Sequence, residues 1–221
     1  MFGGKLKSRD RIFVKICGIT NEADAVAAIE AGADALGFNL VPRSPRYIDI
    51  DSAAVWISKL PREILKVAVL ADPDWEDACR TNQLAFIDAL QLHGNESPEF
   101  CRRLAEAGVH FAKALPVSLS QSLGAVPAFF TNTLLLDSGS RAGFGGSGKV
   151  FPWKFAWKFV QKHRELNVIL AGGLNAENVA EAVTKVRPRG VDVTSGVEIS
   201  PGRKDHLLVG AFIDAARRVK R

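Results

Sequence analysis

The chain has 221 residues, 47% of them hydrophobic and 24% charged, with a formal net charge of +5. That size suits one domain with a single core; no apolar run approaches bilayer length, and the first ten residues lack the apolar centre of a secretion signal. Cys17, Cys79 and Cys101 form an odd, widely spaced set without a C-x-x-C pair, which argues against a disulfide framework or structural zinc, and the scattered Lys and Arg suit small anions better than nucleic acid. A soluble cytoplasmic protein with no membrane or nucleic-acid partner is expected, its oligomeric state left open.

Residues 1–10 read as an N-terminal extension and 11–221 as the folded domain. From there, short β-branched runs alternate with segments of helical period. A strand over 12–17 leads to a helix over 22–31, then a strand over 35–40 to a helix over 52–59, and a strand over 65–70 to a helix over 75–82. The pattern continues with a strand over 86–93 and a helix over 98–107, then a strand over 110–115 and a short helix over 118–123. A strand over 133–137 with a helix over 153–163, one over 168–172 with a helix over 176–186, and one over 190–194 with a helix over 205–219 complete the chain. Caps such as Thr20-Asn21-Glu22 and Asn175-Ala176-Glu177 suit the free N–H groups at helix starts. Eight βα units in one domain predict an α/β fold of the (β/α)8 TIM-barrel kind.

In such a barrel the C-terminal strand ends share one face, where chemistry is placed. Cys17 closes the first strand, Arg43 and Arg46 follow the second between Pro42 and Pro45, His93 closes the fourth and Asp137 the sixth. The last two strands run into Gly172-Gly173 and Ser195-Gly196. Glycines there let a phosphate approach backbone N–H groups without a Cβ in the way. Period-two alternation turns Cys17, Lys15 and Phe13 inward and Val14 and Ile16 toward the helices; it pairs Gln91 with His93, Leu135 with Asp137, and Asp192 with Thr194 on the inner face. The glycine-rich segment 138–149 reads as a lid or binding loop, but its spacing fails the nucleotide P-loop because Val150 follows Lys149.

The motifs Val14-Lys15-Ile16-Cys17-Gly18-Ile19-Thr20, Ser44-Pro45-Arg46-Tyr47, Gln91-Leu92-His93-Gly94, Gly145-Gly146-Ser147-Gly148-Lys149, Ala171-Gly172-Gly173-Leu174-Asn175 and Asp192-Val193-Thr194-Ser195-Gly196-Val197-Glu198, in this order, resemble the phosphoribosylanthranilate isomerase family. The resemblance implies an Amadori rearrangement in tryptophan biosynthesis without metal or organic cofactor. It implies Cys17 as general base, Asp137 as general acid and Arg46 on the anthranilate carboxylate. It further implies substrate contacts at His93, Gly145, Gly172, Gly173, Asp192, Ser195 and Gly196. Pro152, Ala171 and Ala71-Asp72-Pro73 depart from the family pattern without removing a reacting group.

The residue types suit that chemistry on their own terms. Opening a ribose ring needs a proton on the ring oxygen, and forming the enolamine needs removal of the C2′ proton, so an acid and a base must flank one substrate. Duller roles stand beside these. His93 can cap a strand end, Asp192 can stabilise the last loop, and Lys15 reads as the partner of an inward carboxylate, Asp137 or Asp192. Trp56, Trp75, Trp153 and Trp157 read as helix residues packed on the barrel exterior. The rival enzyme, the aminoaldose isomerase of histidine biosynthesis, resembles this chain less because it uses an aspartate where Cys17 stands; a non-catalytic phosphate-binding barrel is the rival of another class.

Overall fold

Strands buried on both faces read as largely apolar runs, and β1 (Phe13–Cys17) is such a strand, every residue buried and only Lys15 charged. The computed structural model describes residues 11–116, 129–137 and 153–219. After β1 come β2 (Ala35–Asn39), β3 (Leu65–Leu70), β4 (Ala89–Leu92), β5 (Phe111–Pro116), β6 (Thr133–Asp137), β7 (Asn167–Leu170) and β8 (Gly190–Val193). Each pairs in parallel with the next, and β8 closes on β1 with Lys15 opposite Asp192. The expected (β/α)8 barrel is therefore the fold.

The alternation divides the core in two. Phe13, Leu65, Val67, Ala89, Ala112, Leu135 and Ile169 fill the barrel interior. Val14, Ile16, Leu36, Phe38 and Leu90 face outward and pack beneath the helices. Helices α1 (Glu22–Glu30), α2 (Ile50–Ile57), α3 (Trp75–Gln83), α4 (Pro98–Glu106) and α7 (His206–Arg217) each start at a side-chain cap, supplied by Asn21, Asp49, Asp74, Ser97 and Asp205. The remaining described helices are α5 (Trp153–Lys162) and α6 (Val179–Val186).

Several edges differ from expectation. α2 begins two residues early because Asp49 caps it, accepting from the Asp51 N–H. α6 begins late because Asn175 caps a separate turn, accepting from the N–H groups of Glu177 and Asn178. β4 is shorter than 86–93 because Ile87 N–H turns back to the Leu84 carbonyl. Trp56 and Trp75 pack edge-on against Phe38 and Phe100, whereas Trp157 is 44% exposed. The short helix over 118–123, the loop 138–149 and residues 1–10 lie outside the described residues. After β8 the chain adds a feature the sequence pattern did not suggest, a hairpin of β9 (Glu198–Ser200) and β10 (Arg203–Lys204). Among the described residues no helix is long and apolar enough to cross a membrane.

Candidate active site

Cys17 ends β1 on its inner face, 8% exposed, and Gly18 turns the chain away with φ of 75°. Directly opposite Cys17 in the register is Gly37. A Cβ at Gly37 would lie 2.6 Å from Cys17 Sγ and 2.9 Å from Lys15 Nζ, so the missing side chain is what admits a thiol and an ammonium side by side. Nothing in the sequence pattern gives Gly37 a role, yet it shapes the site. Gly37→Ala is therefore expected to cost about 1–3 kcal/mol in urea unfolding through overpacking. With Cys17 as the general base that the family resemblance implies, a displacement of an ångström costs up to about 100-fold, so kcat of the variant should fall at least about tenfold. Full kcat in that variant would show that this packing does not fix the thiol.

Beneath Cys17, Lys15 is fully buried and its Nζ donates to Asp192 Oδ1 at 2.7 Å. Burial disfavours the ammonium, but Asp192 and Cys17 outweigh it and hold the Lys15 pKa above the ordinary lysine value. Of the two inward carboxylates weighed for Lys15, Asp192 is the one it meets. At the mouth, Gln91 Nε2 donates to His93 Nδ1 at 3.0 Å, which leaves His93 Nε2–H to donate to Asp137 Oδ2 at 3.2 Å. His93 thus bridges two inward residues rather than capping its own strand.

Arg46 is buried and doubly engaged. Its Nε donates to Glu198 Oε1 at 2.9 Å and its Nη2 to Glu198 Oε2 at 2.7 Å, so one edge of the guanidinium fork is taken by a carboxylate of the protein itself. Burial alone would raise the Glu198 pKa, but Arg46 and Lys204 hold it below the ordinary glutamate range. Ser44 Oγ accepts from the Arg46 N–H and from Asn39 Nδ2, tying the loop after β2 to the strand end. Glu198 ends a motif quoted from the sequence, but nothing local marks it as the partner of Arg46.

The loops after β7 and β8 meet. Gly172 and Gly173 have φ of 82° and 68°, conformations that favour glycine, and a Cβ on Gly196 would fall 1.9 Å from the Leu174 carbonyl oxygen. Asn178 Nδ2 donates to the Gly173 carbonyl at 2.9 Å and fixes the turn. Cys17, Arg46, His93, Asp137, Gly172, Gly173, Asp192, Ser195 and Gly196 all line one cavity of about 400 Å³ at the C-terminal face. The expected contact at Gly145 lies outside the described residues. Such a cavity can flank one small phosphorylated ligand with a thiol on one side and a carboxyl on the other.

The family model for N-(5'phosphoribosyl)anthranilate (PRA) isomerase matches residues 14–215. An N-(5'-phosphoribosyl)anthranilate isomerase of Geobacter sp. (strain M21) is 44% identical over 206 residues, covering 93% of this chain and 98% of the relative. The crystal structure of phosphoribosyl anthranilate isomerase from Thermotoga maritima superposes with a TM-score of 0.83 at 38% identity, over 94% of this chain and 100% of that one. A crystal structure of a phosphoribosyl anthranilate isomerase in complex with reduced 1-(o-carboxyphenylamino)-1-deoxyribulose 5-phosphate gives a TM-score of 0.78 at 36% identity, with 94% of this chain and 100% of that one covered. The chain belongs to the N-(5'-phosphoribosyl)anthranilate isomerase family.

Proposed function

We propose that this protein converts N-(5'-phosphoribosyl)anthranilate to 1-(2-carboxyphenylamino)-1-deoxyribulose 5-phosphate in tryptophan biosynthesis, with Asp137 as general acid and Cys17 as general base. The observation that carries the reading is that Cys17 and Asp137, 120 positions apart in the sequence, line the same cavity as the glycine turns after β7 and β8. Asp137 gives its proton to the ribose ring oxygen, the ring opens, and a Schiff base forms between C1′ and the anthranilate nitrogen. The Cys17 thiolate takes the C2′ proton and leaves an enolamine, which gains a proton at C1′ and loses one from the C2′ hydroxyl to give the ketone. Protons and electrons balance within the substrate and these two groups, so the step requires no cofactor. His93, hydrogen-bonded to Asp137, orients the carboxyl.

The phosphate is assigned to the backbone around Gly172, Gly173, Ser195 and Gly196; the further contact that the family resemblance implies at Gly145 falls outside the described residues. Asp192 faces the sugar from beneath, and the part of the Arg46 guanidinium that Glu198 does not engage faces the anthranilate carboxylate. Residues 1–10 precede the matched region and in this reading form an extension outside the barrel domain. The small soluble substrate and three free cysteines suit the cytoplasm.

The test follows the decay of phosphoribosylanthranilate fluorescence with the purified protein, and in parallel offers the aminoaldose of histidine biosynthesis. Turnover of the first alone is expected, and none on the first would refute the assignment. Arg46→Ala removes a charge-assisted bond of about 1.5–3 kcal/mol and should raise KM roughly 10- to 100-fold, with weakened product affinity. A loss limited to inorganic phosphate competition would contradict the placement of Arg46.

A further inference from the structure

We propose that Lys204 is a positioning residue that, with Glu198, holds Cys17 and Arg46 in working register from behind the cavity. The proposal rests on the functional reading above. Lys204 sits on β10, its side chain 0% exposed, and its Nζ donates to the Cys17 carbonyl at 2.6 Å, the Thr194 carbonyl at 3.2 Å and Glu198 Oε1 at 2.9 Å. One ammonium thus spends its three hydrogens on the end of β1, the end of β8 and the hairpin. Glu198 passes the connection to Arg46 through its two-point contact. Neither Glu198 nor Lys204 lines the cavity, so both act through the residues that do.

The hairpin itself is anchored. The Lys204 N–H donates to Asp24 Oδ2 at 2.9 Å, the other oxygen of Asp24 meets His206 Nε2 at 2.8 Å, and Thr20 Oγ1 donates to the Gly202 carbonyl at 2.5 Å. The start of α1, the start of α7 and the hairpin therefore form one frame around the turn that follows Cys17. Burial pulls the Lys204 pKa below the ordinary lysine value even with Glu198 beside it. An apolar side chain of the same volume would avoid that desolvation, because buried ion pairs are seldom optimal for stability. What an apolar side chain cannot do is bind two carbonyls and a carboxylate at fixed directions. The three acceptors belong to the segments that carry the base, the glycine turn after β8 and the partner of Arg46.

Lys204→Met, checked for folding by circular dichroism and thermal melting, is expected to lower kcat about 100-fold through the displaced Cys17 and to raise KM several-fold through the loosened Arg46. In an Arg46→Ala background the KM effect should vanish while the kcat effect persists, a split that general loosening of the fold would not produce. Ile199→Ser, on the exposed side of the same hairpin, serves as the control and should match wild type. A folded Lys204→Met with wild-type kcat overturns the proposal. Should Lys204→Met not fold, Glu198→Gln decides. It should raise KM about tenfold in wild type and not at all in Arg46→Ala, and equal effects in both backgrounds overturn the proposal. Absence of turnover by the wild type would instead refute the functional reading, so the two failures are distinguishable.

Discussion

Replacing Cys17 with serine is expected to lower kcat by roughly 100- to 10,000-fold, the range a positioned general base contributes, while leaving the fold and product affinity within a few-fold of wild type. The substitution nearly preserves volume, so the gap left by Gly37 still receives the side chain and Lys15 keeps its Asp192 partner. What changes is basicity, because an alcohol yields its anion far less readily than a thiol. The other cysteines do not substitute for it. Cys101 lies on the buried face of α4, where desolvation pushes its thiol up to about 11, and Cys79 lies on α3 away from the cavity. Steady-state kinetics with wild type, Cys17→Ser and a Cys79→Ser control, together with titration of the product by each, separate chemistry from binding. A Cys17→Ser enzyme that keeps more than about a tenth of the wild-type rate would remove the thiol from the mechanism.

The proposed acid and base were legible in the sequence because strand alternation and strand-end position coincide on them. Strand alternation decides that Cys17 and Asp137 face inward, and their positions as last residues of β1 and β6 decide that they stand at the mouth. The groups that hold them were not legible. Arg46 and Glu198 are separated by 152 positions and Lys204 and Cys17 by 187, and a long-range contact leaves no trace in local composition. The hairpin escaped notice because β9 and β10 have three and two residues, too few for alternation to register. His93 shows the intermediate case: parity placed it beside Gln91, but only the closed barrel brings Asp137, 44 positions on, to its second nitrogen. The site is thus written twice, once locally in strand ends and once in pairings that exist only after closure.

Lys15→Met should be the most destabilising single change at the site. It leaves the Asp192 carboxylate buried without its counter-charge, and breaking such a pair typically costs about 3–5 kcal/mol. At about 2–4 °C per kcal/mol for a chain of this size, the thermal midpoint should fall by about 6–20 °C. The double variant Lys15→Met/Asp192→Asn removes the stranded charge and should recover most of that loss without restoring turnover, because it still lacks the ammonium beside Cys17. The pH dependence has a definite sign. The folded Lys15 pKa lies above the ordinary value of about 10.4, so the folded protein binds that proton more tightly than the unfolded chain. The stabilisation is therefore complete below about pH 10.4 and declines as pH rises from there toward the higher folded value. Urea midpoints measured between neutral and strongly alkaline pH should fall for wild type by more than for the double variant. If Lys15→Met instead keeps the wild-type midpoint at neutral pH, the pair at the base of the cavity is not what secures the end of β1.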